Sequence, residues 1–212
     1  MADSKKKTIL ELYMNWVLEN GKAPENVYLF CKHNKLTESK FYDEYGSLKA
    51  VEKTVFTTFF IRTKELLDKN AEYLEYEPRE KLLSFYYTFF EMLTANRSYV
   101  LAALPKNIKE FNKLEQLKGL REHFKNYANE IFAKQISSEA KRLEKFKSES
   151  FQEAAWAQLL VVMRFWVNDE SAGFEKTDIF IEKSMKATFD LVENTPIQSI
   201  IDLGKFLFKE AM

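Results

Sequence analysis

Leu36–Val51 reads LTESKFYDEYGSLKAV, and it marks two helix starts before any packing is considered. Thr37 carries a side-chain oxygen that can accept from a first-turn amide, so it predicts an N-cap for a short helix over Glu38 to Tyr42. After Gly46, Ser47 repeats the signal for a long helix, expected from Leu48 to about Asn70 with Leu48, Val51, Val55 and Phe59 inward. Working back, Gly21 stands at the C-cap of a first helix in which Ile9, Leu12, Tyr13, Trp16 and Val17 follow the spacing of one buried face. Between these, Pro24 precedes a short helix with Val27 and Phe30 inward and Cys31 as a small neighbour. Two short helices joined by the tight turn HNKL make a helix-turn-helix geometry.

Composition bounds the rest. A chain of 212 residues, 46% hydrophobic, can bury a sizeable core and suits one large domain or a small head with a larger body. Basic and acidic residues balance at 32 each, so any contact with a polyanion must come from a local patch. The single cysteine, Cys31, makes no internal disulfide, and with His33 and His123 as the only histidines a Cys/His metal site lacks ligands. This implies a reducing, cytoplasmic setting. The N-terminal stretch MADSKKKTILELYMNW lacks a long apolar run, and AAWAQLLVVMRFWV, Ala154 to Val167, contains Arg164. The latter is shorter than the roughly 20 residues of a spanning helix, so a buried helix is expected and no membrane insertion. Glu75 and Glu77 fall in a charged loop, and neither a nucleophile triad nor a glycine-rich phosphate loop is present. No enzyme, catalytic residue, metal or cofactor is expected.

Only five glycines and four prolines punctuate the chain, and its apolar residues recur at helical spacing, so the fold class is all-α. The loop KNAEYLEYEPRE separates head from body, with Pro78 suited to the first turn of the next helix. From Leu82 to Leu93 the polar residues are Ser84, Thr88 and Glu91, one narrow stripe on an apolar cylinder, which predicts a helix at the centre of a bundle. Further helices are expected over Asn107–Leu117, Gly119 to about Lys147 with a break near Ser137, Phe151–Asn168, Thr177–Glu193, and Pro196 to the end with Thr195 as cap. In the Thr177 helix Ile181, Met185, Phe189 and Val192 share one face.

Ile9, Gly21, Val27, Phe30, Leu36, Thr37, Phe41, Tyr42, Tyr45, Ser47, Ala50 and Val51 fall without a gap in the head register of TetR-type transcriptional regulators, which the chain resembles over about a fifth of its length. The stretch from Phe165 to Val192 resembles that family in layout, as two long helices joined by a short loop. The resemblance implies a three-helix helix-turn-helix head over 1–50 and a helical-bundle body for ligand and dimer contacts over 51–212. Thr37, Lys40, Tyr42 and Lys49 would contact double-stranded DNA, an operator of palindromic form, with Lys5, Lys6 and Lys7 as an arm. Phe85, Tyr86, Phe89 and Phe90 are candidates to line a pocket for an apolar or aromatic small molecule, with Glu91 and Arg164 as polar anchors. The helices Phe151–Asn168 and Thr177–Glu193 are expected to pair with a second copy, Ile181, Met185 and Phe189 forming the homodimer interface.

The head also departs from the pattern. Lys35 stands where the family commonly has glycine, so Asn34 or Lys35 must take a left-handed conformation. Leu48 occupies the usual lysine position, with Lys49 beside it. Glu38, Asp43 and Glu44 stand at or beside positions that would face phosphates, and from Lys22 to Ala50 the lysines exceed the acids by five to four. That acidity supports a second expectation, a lipid- or quinone-binding accessory protein that keeps the fold without binding DNA.

Overall fold

The computed structural model describes residues 7–104, 115–132 and 141–194, and every regular element among them is helical. Helix α1 (Ile9–Asn20) opens with a capping box: the Glu11 amide donates to Thr8 Oγ1 at 3.2 Å, and the Thr8 amide donates to Glu11 Oε2 at 2.9 Å. It closes on Gly21, whose φ of 67° frees its amide to reach the Val17 carbonyl at 2.8 Å. Helices α2 (Val27–His33) and α3 (Glu38–Glu44) follow, capped by Asn26 and Thr37, and α4 (Leu48–Asp68) is capped by Ser47. Phe30 and Phe41 are wholly buried and meet edge to face at 5.9 Å, with Tyr13 and Trp16 against Phe30. Trp16 is half-buried, its outer side covered by the exposed His33.

Helix α4 runs unbroken out of the head into the body, burying Val51 and Val55 near its start and Phe59, Phe60, Thr63 and Leu67 farther on. The loop expected after it contains a short helix, α5 (Ala71–Glu75). Tyr73 is buried there because its hydroxyl meets that of Tyr127 at 2.7 Å, a distant partner that local charge density conceals. Helix α6 (Pro78–Ala95) starts with Pro78 in its first turn, and α7 (Arg97–Ala103), which the periodicity did not mark, packs Tyr99 and Val100 into the core. A single 3-10 turn (Glu115–Leu117) leads into α8 (Lys118–Phe132), followed by α9 (Lys141–Val167) and α10 (Glu175–Asn194).

α6 contacts α4, α7, α8 and α10, the central place its narrow polar stripe predicts. Glu91 is exposed, while Ser84 and Thr88 are half-buried. α4 packs on α8 as well, and Gly119 makes that approach possible: a β-carbon there would run into Thr57 Oγ1. One connected apolar core extends from Ile9 to Phe189. No helix among the described residues is long and apolar enough to cross a membrane. Lys5, Lys6, the break near Ser137, all but the last three residues of the expected Asn107–Leu117 helix, the Val192 side chain, and the Pro196 helix with its Thr195 cap lie outside the described residues.

Candidate functional site

In the head, the turn from α2 to α3 is built by Lys35. It takes φ 54°, and the Leu36 amide then reaches back to the Cys31 carbonyl at 2.9 Å while the Lys35 amide points to Lys32. This closes α2 in the double-bonded manner for which glycine is usual, with Asn34 remaining at φ −90°. α3 then starts from Thr37, whose Oγ1 accepts the Lys40 amide at 3.3 Å, leaving the hydroxyl proton for an outside acceptor. Phe41 anchors α3 inward; Tyr42, the next residue, is 52% exposed and braced edge-on by Phe41 at 5.4 Å. Lys40 is half-buried and lies two positions from Tyr42, on the opposite flank of the helix, so the structure does not bring their side chains together. Lys49 is exposed in the first turn of α4, and Lys7 is exposed just before α1.

All three acids of α3, Glu38, Asp43 and Glu44, are exposed. Glu38 also adds to the burial that raises the Cys31 thiol above its ordinary value, so the thiol stays protonated. Sequence reasoning missed Tyr28: on the outer side of α2 it is 56% exposed, with Lys32 Nζ 5.8 Å from its ring centre. Its position directly after the inward-facing Val27 was the available signal.

In the body the expected ligand residues divide. Phe85 and Phe89 stack at 5.5 Å, and Phe85 meets Tyr127 at 4.9 Å and Phe124 at 5.4 Å, so both rings belong to a packed aromatic core. Tyr86 is fully buried between Phe90 and Phe124, its hydroxyl unpartnered among the described residues, and burial pushes that hydroxyl well above its ordinary pKa. Phe90 and Glu91 line a cleft of about 430 Å³ between α6 and the start of α10. Arg164, half-buried, lines a different one of about 500 Å³ with Val161, Phe165 and Phe180. Glu91 and Arg164 therefore do not face one ligand from two sides.

Ile181, Met185 and Phe189 are at most 2% exposed, and Phe189 packs on Phe132 of α8 at 5.3 Å. They are covered inside one protomer. An apolar stripe shows that a helix face is covered but not by which chain. Among the described residues the exposed large apolar side chains of the same helix pair are Val161, Phe165 and Ile179, and Phe165 stacks on the half-buried Phe180 at 4.6 Å.

The bend between α9 and α10 is built around two charges. Arg97, at the start of α7, donates to the carbonyls of Trp166, Val167 and Asp169 at 3.1 to 3.3 Å, with its guanidinium 4.4 Å from the ring centres of both Trp166 and Phe174. Asp169 accepts from the backbone amides and hydroxyls of Ser171 and Thr177. Burial drives its carboxyl upward, but these hydrogen bonds win and hold it at about 2.

A family model described as tetracyclin repressor-like, C-terminal domain, matches residues 81–207, more than half of the chain. No curated protein matches it.

Proposed function

We propose that this chain, which belongs to the tetracycline repressor-like family, is a one-component transcriptional regulator. As a homodimer it binds a palindromic operator in double-stranded DNA, and a small apolar or aromatic molecule in the body alters the spacing of its heads. The observation that carries this reading is the mounting of α3, which is locked inward by Phe41 against Phe30 and presents Tyr42 outward at 52% exposure. A short helix anchored in this way, with a reach-back turn before it, suits entry into a major groove. Thr37 and Lys49, at the starts of α3 and α4, would take phosphates where helix amides favour anions. Lys40 adds charge on one flank.

The coupling route is α4, one helix with its start in the head and its middle against α6 and α8. A ligand that binds one packing of α6 better than another shifts α4, and the two recognition helices leave the spacing of adjacent grooves. The Phe165–Phe180 face is the proposed meeting surface of the two copies, since apolar side chains of α9 and α10 remain exposed there.

The exposure of Glu38, Asp43 and Glu44 favours the second reading, a lipid- or quinone-binding accessory protein, because like charge repels phosphate. Selection of bound fragments from genomic DNA with the purified protein separates the two. The regulator reading expects enrichment of one palindrome and its loss in Tyr42→Ala. It also expects a shallow salt dependence that Lys49→Ala flattens by about 0.9 in log slope. No enrichment at low salt, with binding created only by Glu38→Lys and Glu44→Lys together, would establish the accessory protein instead.

A further inference from the structure

Head and body meet where α1 packs on α4 and α7, and a cleft of about 800 Å³ opens along that seam. Its floor is apolar. Leu10, Met14, Phe59 and Tyr99 line it and are each at most 8% exposed, while Leu18 carries the apolar strip out to the surface at 45% exposure. The charge around this floor is one-sided: among the described lining residues Lys7, Arg62 and Arg97 stand against one carboxylate, Glu11. That carboxylate is already engaged, because its Oε2 accepts the Thr8 amide at 2.9 Å. Arg62 reaches its other oxygen at 3.9 Å, the loose end of ion-pair range, and among the described residues Lys7 and Arg97 make no ion pair. Arg97 turns its donors to backbone carbonyls instead, so its charge adds to the positive field without being cancelled there.

We infer that this seam is a binding site for an amphipathic carboxylate, an acidic head on an unbranched apolar tail. The register of α1 sets its direction. Leu10, Met14 and Leu18 recur every four residues and so form one apolar strip, about 12 Å long at the rise of a helix. Lys7 and Glu11 stand at the N-terminal end of that strip, and Arg62 joins them there through Glu11. An acid at this end meets two cations, Lys7 and Arg62, whose nearest carboxylate is held by the N-cap amide of α1. A tail running towards Leu18 removes the strip and the edge of Phe59 from water. A small inorganic anion would satisfy the cations and leave the floor wet, and an apolar cation would bring its charge against three others. The site lies apart from the aromatic interior of the body, since α1 of the head forms one of its walls.

The inference goes beyond the regulator reading, because a guest touching α1 and α4 at once would hold the head against the body whatever the head itself binds. Its test uses the full chain without DNA, so failure here leaves operator binding standing, and failure to select DNA leaves this result standing. Dodecanoate, kept below its micelle threshold, is titrated calorimetrically beside dodecyltrimethylammonium, which has the same tail and the opposite charge. The carboxylate is expected to bind and the ammonium not. Lys7→Gln and Arg62→Gln combined, both at exposed positions, should weaken dodecanoate about tenfold. Leu18→Ser, also exposed, should weaken it about fivefold. Equal binding of the two amphiphiles, or no binding of dodecanoate, overturns the inference. So does affinity undiminished in both variants, which would move the carboxylate to another cleft. Capture by phosphatidylglycerol vesicles without binding of free dodecanoate also overturns it, by assigning the cations to a membrane surface.

Discussion

Lys35 shows how one side chain can set a stability cost without altering the fold. Its φ of 54° lies in the left-handed region, which costs a residue with a β-carbon roughly 1–2 kcal/mol. Glycine removes that strain but gives back about 0.5–1 kcal/mol through the entropy of the unfolded chain. Lys35→Gly is therefore expected to stabilise the protein by about 0.5–1 kcal/mol, read as a higher urea midpoint at unchanged slope. Loss of stability would mean that the lysine contributes a contact beyond the turn. The neighbouring caps were legible because each is local: Thr8, Thr37 and Ser47 satisfy amides no more than three residues away.

Between elements, the joint of α9 and α10 depends on Asp169, whose carboxylate gathers the first turn of α10 and the bend before it. Its carboxyl is depressed from 3.8 to about 2 in the fold. A depressed carboxylate stabilises the native state above its unfolded value and loses that contribution as pH falls through the folded one. Asp169→Asn should thus cost about 1.5–3 kcal/mol at neutral pH, the worth of hydrogen bonds to a charged group. The gap to the parent protein should close between pH 3.8 and about 2, followed by thermal melts at stepped pH. A gap that persists at pH 2 would assign the loss to packing rather than charge. Nothing in the sequence spacing singled out Asp169, because its partners sit two and eight positions away in an irregular bend.

For the whole molecule, burial separates the faces of α10 into two kinds. Met185, at 1% exposure, belongs to the protomer core, so Met185→Asp should prevent folding altogether. Phe165→Asp, on the exposed face where Phe165 meets Phe180 at 4.6 Å, should leave a folded protein with normal helix content. By light scattering at micromolar concentration the parent is expected to be a dimer and Phe165→Asp a monomer, since a two-fold interface places the new charge against its own copy. A dimer undisturbed by Phe165→Asp would move the interface elsewhere.

The sequence by itself determined the helical class, the head's element order and turn, and the central place of α6. Each of these follows from signals within a few residues: a cap, a stop, or an apolar period of 3.6. The head register pointed to the family, and the match over 81–207 reaches the same family from the body, where the sequence offered layout alone. Only the tertiary structure decided what each apolar face meets. It turned Ile181, Met185 and Phe189 inward, drew Tyr73 from a charged stretch to Tyr127, and stacked Phe85 and Phe89 into packed core. It also placed Glu91 and Asp178 on one cleft while sending Arg164 to another. Periodicity fixes that a face is buried, but which partner buries it depends on crossings between helices far apart in the chain, and no local pattern records them.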